Sequence, residues 1–510
     1  LKATTVFALG LEQPTVLLSS EQLKAFRRGK PVYGETLKRG VRGAYFVNQL
    51  MALDPGVTKD WCLVADVEKS QVEVGHLIKQ LDDPDALWDS LSQSIDQGTD
   101  KLARTIASAD GFQKTAEESV SVHHYANTLF NVLRGGVFFD QYRVSSSDFL
   151  ASVAHFNKQV FKRHEALLSS LPSSITYSYL LSIVKETNDP DLVRLCLEYL
   201  PITFGRRHGD PSRPWNQFAI NVKDADGDEI LSYQGNWRDI FQNWEALCLS
   251  YPEFLEGVVA KFVNASTLDG FNPYRITKEG IDWEVEDPDD PWSYIGYWGD
   301  HQIIYLLKLL EHSKDFHPEL LTDLLHQPVY TYANVPYRIA PFGQLLLDPK
   351  DTVSFDKELA AKIDALVEEI GADGKLILQA HGNVYRVNLL EKLLVPVLSK
   401  LSNLVIDGGI WLNTQRPEWN DANNALVGAG LSMVTLYYLR RYLSFLNELV
   451  EEESEVALSI EVAVWLEETT ETIHAAHAQM KAGDLSAEDR LEILSRLGRS
   501  ASEYLRKLYE

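Results

Sequence analysis

The sequence predicts a mainly α protein, an (α/α)6 barrel of helical hairpins behind a short β-rich segment, and three observations predict it. From about residue 82 the apolar period is 3.6, and roughly a dozen helical segments follow before residue 450. Two of them, IIYLLKLL (303–310) and ALVGAGLSMVTLYYL (425–439), are hydrophobic nearly all round, as buried inner helices are, whereas 355–371 is amphipathic, as an outer helix is. No internal repeat of roughly 30 to 45 residues is present, and the connecting segments are long and aromatic, which disfavours a solenoid.

Taken in order, residues 1 to about 80 carry TTVFALG, PTVLLSS, GAYFVNQLM and WCLVADV, short β-branched and aromatic runs separated by Gly, Pro and charged turns, so four strands are expected. Helices are expected over 85–106, 114–133, 146–170, 174–187, 190–200, 236–249, 252–264, 300–313, 317–326, 355–371, 388–404 and 422–450. From 451 the chain is charged and amphipathic, with a hairpin at KAGDLSAEDR, and reads as an outer helical pair. The expected organisation is a β-rich segment and linker over 1–82, the barrel over 83–450 and the pair over 451–510.

Composition excludes several function classes. With 48 basic and 73 acidic residues the net charge is -25, which disfavours nucleic acid and anionic membrane and suits a neutral ligand such as a sugar. No apolar run reaches membrane-spanning length. The three cysteines, Cys62, Cys196 and Cys248, have no C-x-x-C spacing, so they read as reduced core residues of a cytoplasmic protein. The chain starts at Leu1 rather than Met, which is expected of a piece of something longer. A homodimer is allowed.

The chemistry-bearing residues gather in a few segments. Eight of the eleven tryptophans fall between Trp215 and Trp419. In 411–433, Trp419, Asn420 and Asp421 follow Glu418 ahead of an apolar helix, and an aromatic face beside carboxylates suits a carbohydrate pocket. In 283–300, Trp283, Trp292, Tyr294, Tyr297 and Trp298 alternate with acids and end on Asp300, where the next helix begins. Asp300 reads either as an N-cap or as a carboxyl whose pKa an aromatic pocket raises, as a general acid requires. FGRRHGDPSRPWN (204–216) is a basic island in an acidic chain; Arg206, Arg207 and Arg213, with Asp210, either grip sugar hydroxyls and an oxyanion or pair with nearby acids. Trp237, Arg238 and Asp239 open a helix, where the last two read as a structural ion pair holding the pocket rather than as groups acting directly in catalysis. His381 and Arg386 stand on the turn HGNVYRVN. No metal-ligand spacing is found, the adjacent His123 and His124 included.

In their order these segments resemble the inverting glycoside phosphorylases typified by cellobiose phosphorylase and the β-glucan phosphorylases. WNDANNALVGAGLSMVTLYYLRRYL is similar to that family's Trp-Asn-Asp helix, YWGDHQIIYLL to the segment carrying its general acid, and YQGNWRDIFQNWEAL to its Tyr-Arg-Asp helix. The resemblance implies Asp300 as proton donor, with Arg207, Asp210, Trp237, Arg238, Asp239, Trp298, Trp419, Asn420 and Asp421 as sugar contacts. Arg206, Arg213, His381 and Arg386 are the phosphate candidates, with inorganic phosphate as co-substrate and no other cofactor. The expected partner is a glucan-like oligosaccharide. The family's Gly/Thr-rich phosphate loop has no counterpart after the Trp-Asn-Asp helix. A hydrolase, with Glu418 or Asp421 as base, and a non-catalytic sugar-binding barrel are the alternatives.

Overall fold

The computed structural model describes residues 2–203, 224, 230–272, 275–283, 302–349, 351–413, 426–451, 453 and 455–509. The chain divides into two compact units, Leu1–Arg104 and Thr105–Glu510.

All four expected strands form in the first unit. Ala3–Leu9 pairs antiparallel with Cys62–Lys69, and Thr15–Ser19 with Gly43–Asn48. Gly10 turns out of the first strand at a φ of 78°, where a Cβ would stand 2.4 Å from the Asp60 carbonyl oxygen, so only glycine fits. The Glu35 carboxylate accepts from Gln22 Nε2 (2.8 Å) and from the Leu18 amide (2.8 Å), which holds its pKa down at about 2. The β-rich stretch ends earlier than expected: Ser70 and Glu73 form a reciprocal cap that starts a helix at Gln71–Gln80.

The second unit is mainly helical, and most expected helices are present within a few residues. Three differ for local reasons. The run 146–170 is two helices, Ser146–Phe156 and Lys158–Ser169, because Asn157 leaves the helical conformation and caps the second with Oδ1, accepting from the amides of Gln159 and Val160. Residues 174–176 pair as a strand with Arg143–Ser145, so that helix starts at Tyr177. The helix expected over 422–450 is Met433–Val450. Gly428 adopts a φ of 80°, Leu431–Ser432 pairs with Ile410–Trp411, and Ser432 caps the helix by accepting from the Thr435 amide. ALVGAGLSMVTLYYL is therefore not one buried helix: Leu426, Leu431, Met433, Val434 and Tyr437 are exposed. By contrast IIYLLKLL is buried as expected.

Helix directions follow from side-chain contacts. Trp237 and Phe241, early in helix Trp237–Cys248, pack on Phe262 near the end of Leu255–Asn264 (both 4.6 Å between ring centroids), so these two run antiparallel. Glu256 Oε1, at the start of the second, meets Ser313 Oγ (2.7 Å) and His317 Nδ1 (2.8 Å) at the end of Gln302–Phe316, which is antiparallel again. Helix 302–316 then runs parallel to 433–450, with Arg441 on Glu311 (2.6 Å) and Lys314 on Glu448 (3.0 Å). The starts at 237, 302 and 433 consequently lie at one end, with the end of 255–264. The C-terminal pair Ile460–Ala482 and Ala487–Tyr509 forms as expected; Trp465 stacks on Tyr504 (4.3 Å), whose hydroxyl donates to the Leu268 carbonyl (2.8 Å). Burying each such ring contributes about 1.5–3 kcal/mol.

Gly371 ends helix Lys357–Ile370 at a φ of 110°, with the His155 and Phe156 carbonyl oxygens 2.4 and 2.7 Å from where a Cβ would sit. Gly371→Ala should therefore lower stability by about 1–3 kcal/mol. The check is urea unfolding: the midpoint should fall with the slope unchanged, and an unaltered midpoint contradicts the strain argument.

Candidate active site

Most of the residues singled out in the sequence lie outside the described residues: Asp300, Trp298, Arg206, Arg207, Asp210, Arg213, Glu418, Trp419, Asn420 and Asp421. Arg238 and Asp239 stand in the first turn of helix 237–248, and their side chains are likewise outside what is described. Trp237 is buried, its ring packed on Phe241 and Phe262 and its indole N–H without a partner among the described residues. His381 is exposed on a turn closed by Gly382 N to the Gln379 carbonyl. The Arg386 guanidinium lies 3.1 Å from Asp191 Oδ2.

What the structure does bring together are the edges of these segments. Strand Arg275–Thr277 pairs with Gln234–Asn236 on one side and Gly280–Asp282 on the other, so Asn236 and Asp282 both face Arg275. The chain thus enters 284–301 beside the start of helix 237–248, and the Trp283 ring lies 5.1 Å from the Lys375 ammonium. Thr203 bridges to Leu231 and its hydroxyl donates to the Ile230 carbonyl (3.1 Å), drawing together the two sides of 204–229. Leu412 exchanges backbone hydrogen bonds with Gly428 (2.7 Å) and Gly430 (3.0 Å), which does the same for 414–425. Helices 302–316 and 433–450 begin after 284–301 and 414–425, at the end where helix 237–248 also begins.

Beneath that end lies a buried ionic cluster. Arg194, 1% exposed, donates to Asp373 Oδ2 and to Glu198 Oε1 (3.2 Å). Asn157 Nδ2 donates to the same Asp373 oxygen (2.8 Å) and Asn264 Nδ2 to the same Glu198 oxygen (2.7 Å). Burial alone would lower the Arg194 pKa, but the charges of Asp373 and Glu198 hold it above the ordinary arginine value. Lys261, 3% exposed in the last turn of 255–264, has no such partner among the described residues. Its ammonium faces the rings of Phe156 (5.1 Å) and Tyr233 (5.5 Å), and burial lowers its pKa to about 8, against the attraction of Glu198. Two small cavities, of about 10 and about 30 Å³, flank it, and Phe156, Glu198 and Lys261 line both.

Sequence reasoning missed Glu198 and Lys261. A signal existed for the lysine, a lone cation in the apolar run LEGVVAKFVN, where a solvated charge is out of place. Glu198, beside Tyr199 at the end of an ordinary helix, carries none.

Residues 138–201 match the model of glycoside hydrolase family 149 insertion domain 1. The matched segment supplies Asn157, Arg194 and Glu198 to the cluster. No curated protein matches the chain. The family match supports a carbohydrate-active, glycan-cleaving enzyme of the glycoside hydrolase and phosphorylase type. No helix among the described residues is long and apolar enough to cross a membrane.

A lysine whose folded pKa lies below its unfolded value makes the unfolded chain bind more protons between about pH 8 and the ordinary lysine value of 10.5. The destabilising penalty of this group should therefore be full below about pH 8 and fade as pH rises through that window. Lys261→Met should remove this pH dependence and raise stability at pH 7, by up to about 3 kcal/mol. Denaturant titrations of both proteins from pH 7 to 10.5 test this; parallel pH curves would count against a strained buried amine.

Proposed function

We propose that the protein is an inverting glycoside phosphorylase acting on a glucan-like oligosaccharide, built on an (α/α)6 barrel. The observation that carries the reading is the match of residues 138–201 to an insertion domain of a glycoside-active family. It gains support from the shared end of the helices beginning at 237, 302 and 433, since the candidate residues stand in or next to the segments entering them.

In the proposed step Asp300 gives its proton to the glycosidic oxygen while a phosphate oxygen attacks the anomeric carbon from the opposite face. The carbon–oxygen bond of the leaving sugar breaks as the carbon–phosphate oxygen bond forms, giving a sugar 1-phosphate of inverted configuration and a shortened glycan. Phosphate is already a nucleophile, so no protein base is needed. Arg207, Asp210, Arg238, Asp239, Trp298, Trp419, Asn420 and Asp421 would grip the sugar, with Trp237 as the packed foot of their helix. Arg206, Arg213, His381 and Arg386 would hold phosphate, the last competing with its bond to Asp191. A cytoplasmic enzyme fits the buried free thiols of Cys196 and Cys248, which burial keeps protonated.

The second reading is an inverting hydrolase, for which Glu418 or Asp421 would activate water from roughly 6.5–9.5 Å across the bond. One experiment separates the two. Incubated with glucan oligosaccharides, the protein should yield sugar 1-phosphate only when phosphate is supplied; phosphate-independent release of reducing sugar would establish the hydrolase instead. Asp300→Asn, nearly isosteric, should cut the rate by roughly 10² to 10⁴ in either case, and activity retained within tenfold would show that another group is the acid.

A further inference from the structure

We propose that the paired cavities at the end of helix Leu255–Asn264 form a subsite for one hydroxyl or hydroxymethyl arm of a sugar, to which Lys261 donates a hydrogen bond and from which Glu198 accepts one. The proposal rests on the glycan-cleaving reading above and adds a place and a grip to it.

Three polar groups at these cavities lack partners among the described residues. The Lys261 ammonium meets only the faces of Phe156 and Tyr233. Glu198 accepts from Arg194 and Asn264 through Oε1 alone, which leaves Oε2 unbonded. The Tyr233 hydroxyl, on a side chain 2% exposed, has no bond either. Arg194 Nε and Asp373 Oδ1, enclosed beside the larger cavity, have no partner among the described residues either, and buried polar atoms are rarely left so, because each costs the hydration it gave up.

The chemistry around Lys261 selects a hydroxyl over a charged ligand. Around the larger cavity Arg194 and Lys261 balance Glu198 and Asp373, so an ion of either sign would add a buried charge with nothing to offset it. A hydroxyl both accepts and donates, which matches an ammonium on one side and a carboxylate oxygen on the other, and both bonds are strengthened by the charges. Phe156 and Tyr233 offer apolar faces to the carbon beside it. Volumes of about 10 and 30 Å³ take one or two water-sized groups, so an arm of the sugar enters and its ring does not.

Position agrees with chemistry. Ile276, Gly280 and Ile281 line the larger cavity, and strand Gly280–Asp282 leads directly into 284–301, where Asp300 stands. Ser152, Phe156, Glu198 and Tyr199, all on the smaller cavity, belong to the segment that matches the insertion domain. That segment would then recognise substrate as well as brace the fold.

The test is calorimetric titration of the full chain with β-1,3- and β-1,4-linked glucose disaccharides and with analogues lacking one hydroxyl at a time. Lys261→Met and Glu198→Gln should each weaken binding of the parent sugar by tenfold or more. At one position the deoxy analogue should bind wild type at least tenfold more weakly than the parent, and bind Lys261→Met as well as the parent does. Tyr233→Phe, which removes only a hydroxyl, should weaken binding by about threefold and carries the test if a charge variant fails to fold. Wild-type protein that cleaves glycans while every variant binds all sugars unchanged would overturn the subsite and leave the enzyme reading standing. A wild-type chain that neither binds nor cleaves oligosaccharides would overturn both.

Discussion

The buried pair of Arg194 and Asp373 is the constraint on which the end of the helical unit where helices 237–248 and 302–316 begin depends. Both side chains are 1% exposed, and removing two such charges from water costs several kcal/mol each unless further hydrogen bonds offset it. Here they do so in part: Asn157 donates to Asp373, Glu198 accepts from Arg194, and Asn264 donates to Glu198, while Arg194 Nε and Asp373 Oδ1 have no partner among the described residues. Asn264 in turn accepts from the Thr331 amide (2.9 Å), which places the run in which Ala333 bridges to both Thr267 and Leu376. Helices far apart in sequence, at 158–169, 190–197 and 255–264, and the turn at Ala372–Lys375 are thus fixed by one polar cluster rather than by apolar contact alone. Directional bonds define a single arrangement where apolar faces permit several.

Much of the fold is legible in the sequence because it is local. The four strands, most of the helices and the C-terminal pair follow from period and turn residues within windows of about ten to twenty residues. The points where sequence and structure part are local too. Asn157 sits where a continuous apolar period hides a cap, and Gly428 and Gly430 inside an apolar run mark a turn and a strand pairing, not a helix. The directions of the helices are not legible. They rest on pairs such as Glu256 with His317 and Glu311 with Arg441, separated by 61 and 130 residues, and no single sequence shows which of many charges will meet.

The candidate site divides in the same way. Its aromatic and acidic segments at 204–216, 283–300 and 411–433 stand out by composition, which is why the amino-acid sequence alone carries a carbohydrate reading. Its floor does not stand out. Arg194, Glu198 and Asp373 are ordinary helix and turn residues whose role comes from burial and from each other. The matched insertion-domain segment supplies the cap, the arginine and the glutamate of this cluster.

Lys261 shows why such a floor is more than scaffolding. Arg194 is hydrogen-bonded to two carboxylates, whereas Lys261, on the neighbouring helix, is buried against two ring faces with no hydrogen bond among the described residues, and burial holds its pKa at about 8 against the attraction of Glu198. A methionine of similar length would fill that space without a charge to bury, so the amine weakens the fold that contains it. Structures retain such a group where its unmet hydrogen-bonding capacity is used by something that comes and goes. The carboxylate oxygen of Glu198 at both cavities and the hydroxyl of Tyr233 at the smaller make the amine one member of a set: donor, acceptor and amphoteric hydroxyl, facing a space that takes one or two water-sized groups. That combination fits a neutral hydroxyl better than it fits a fold seeking only stability.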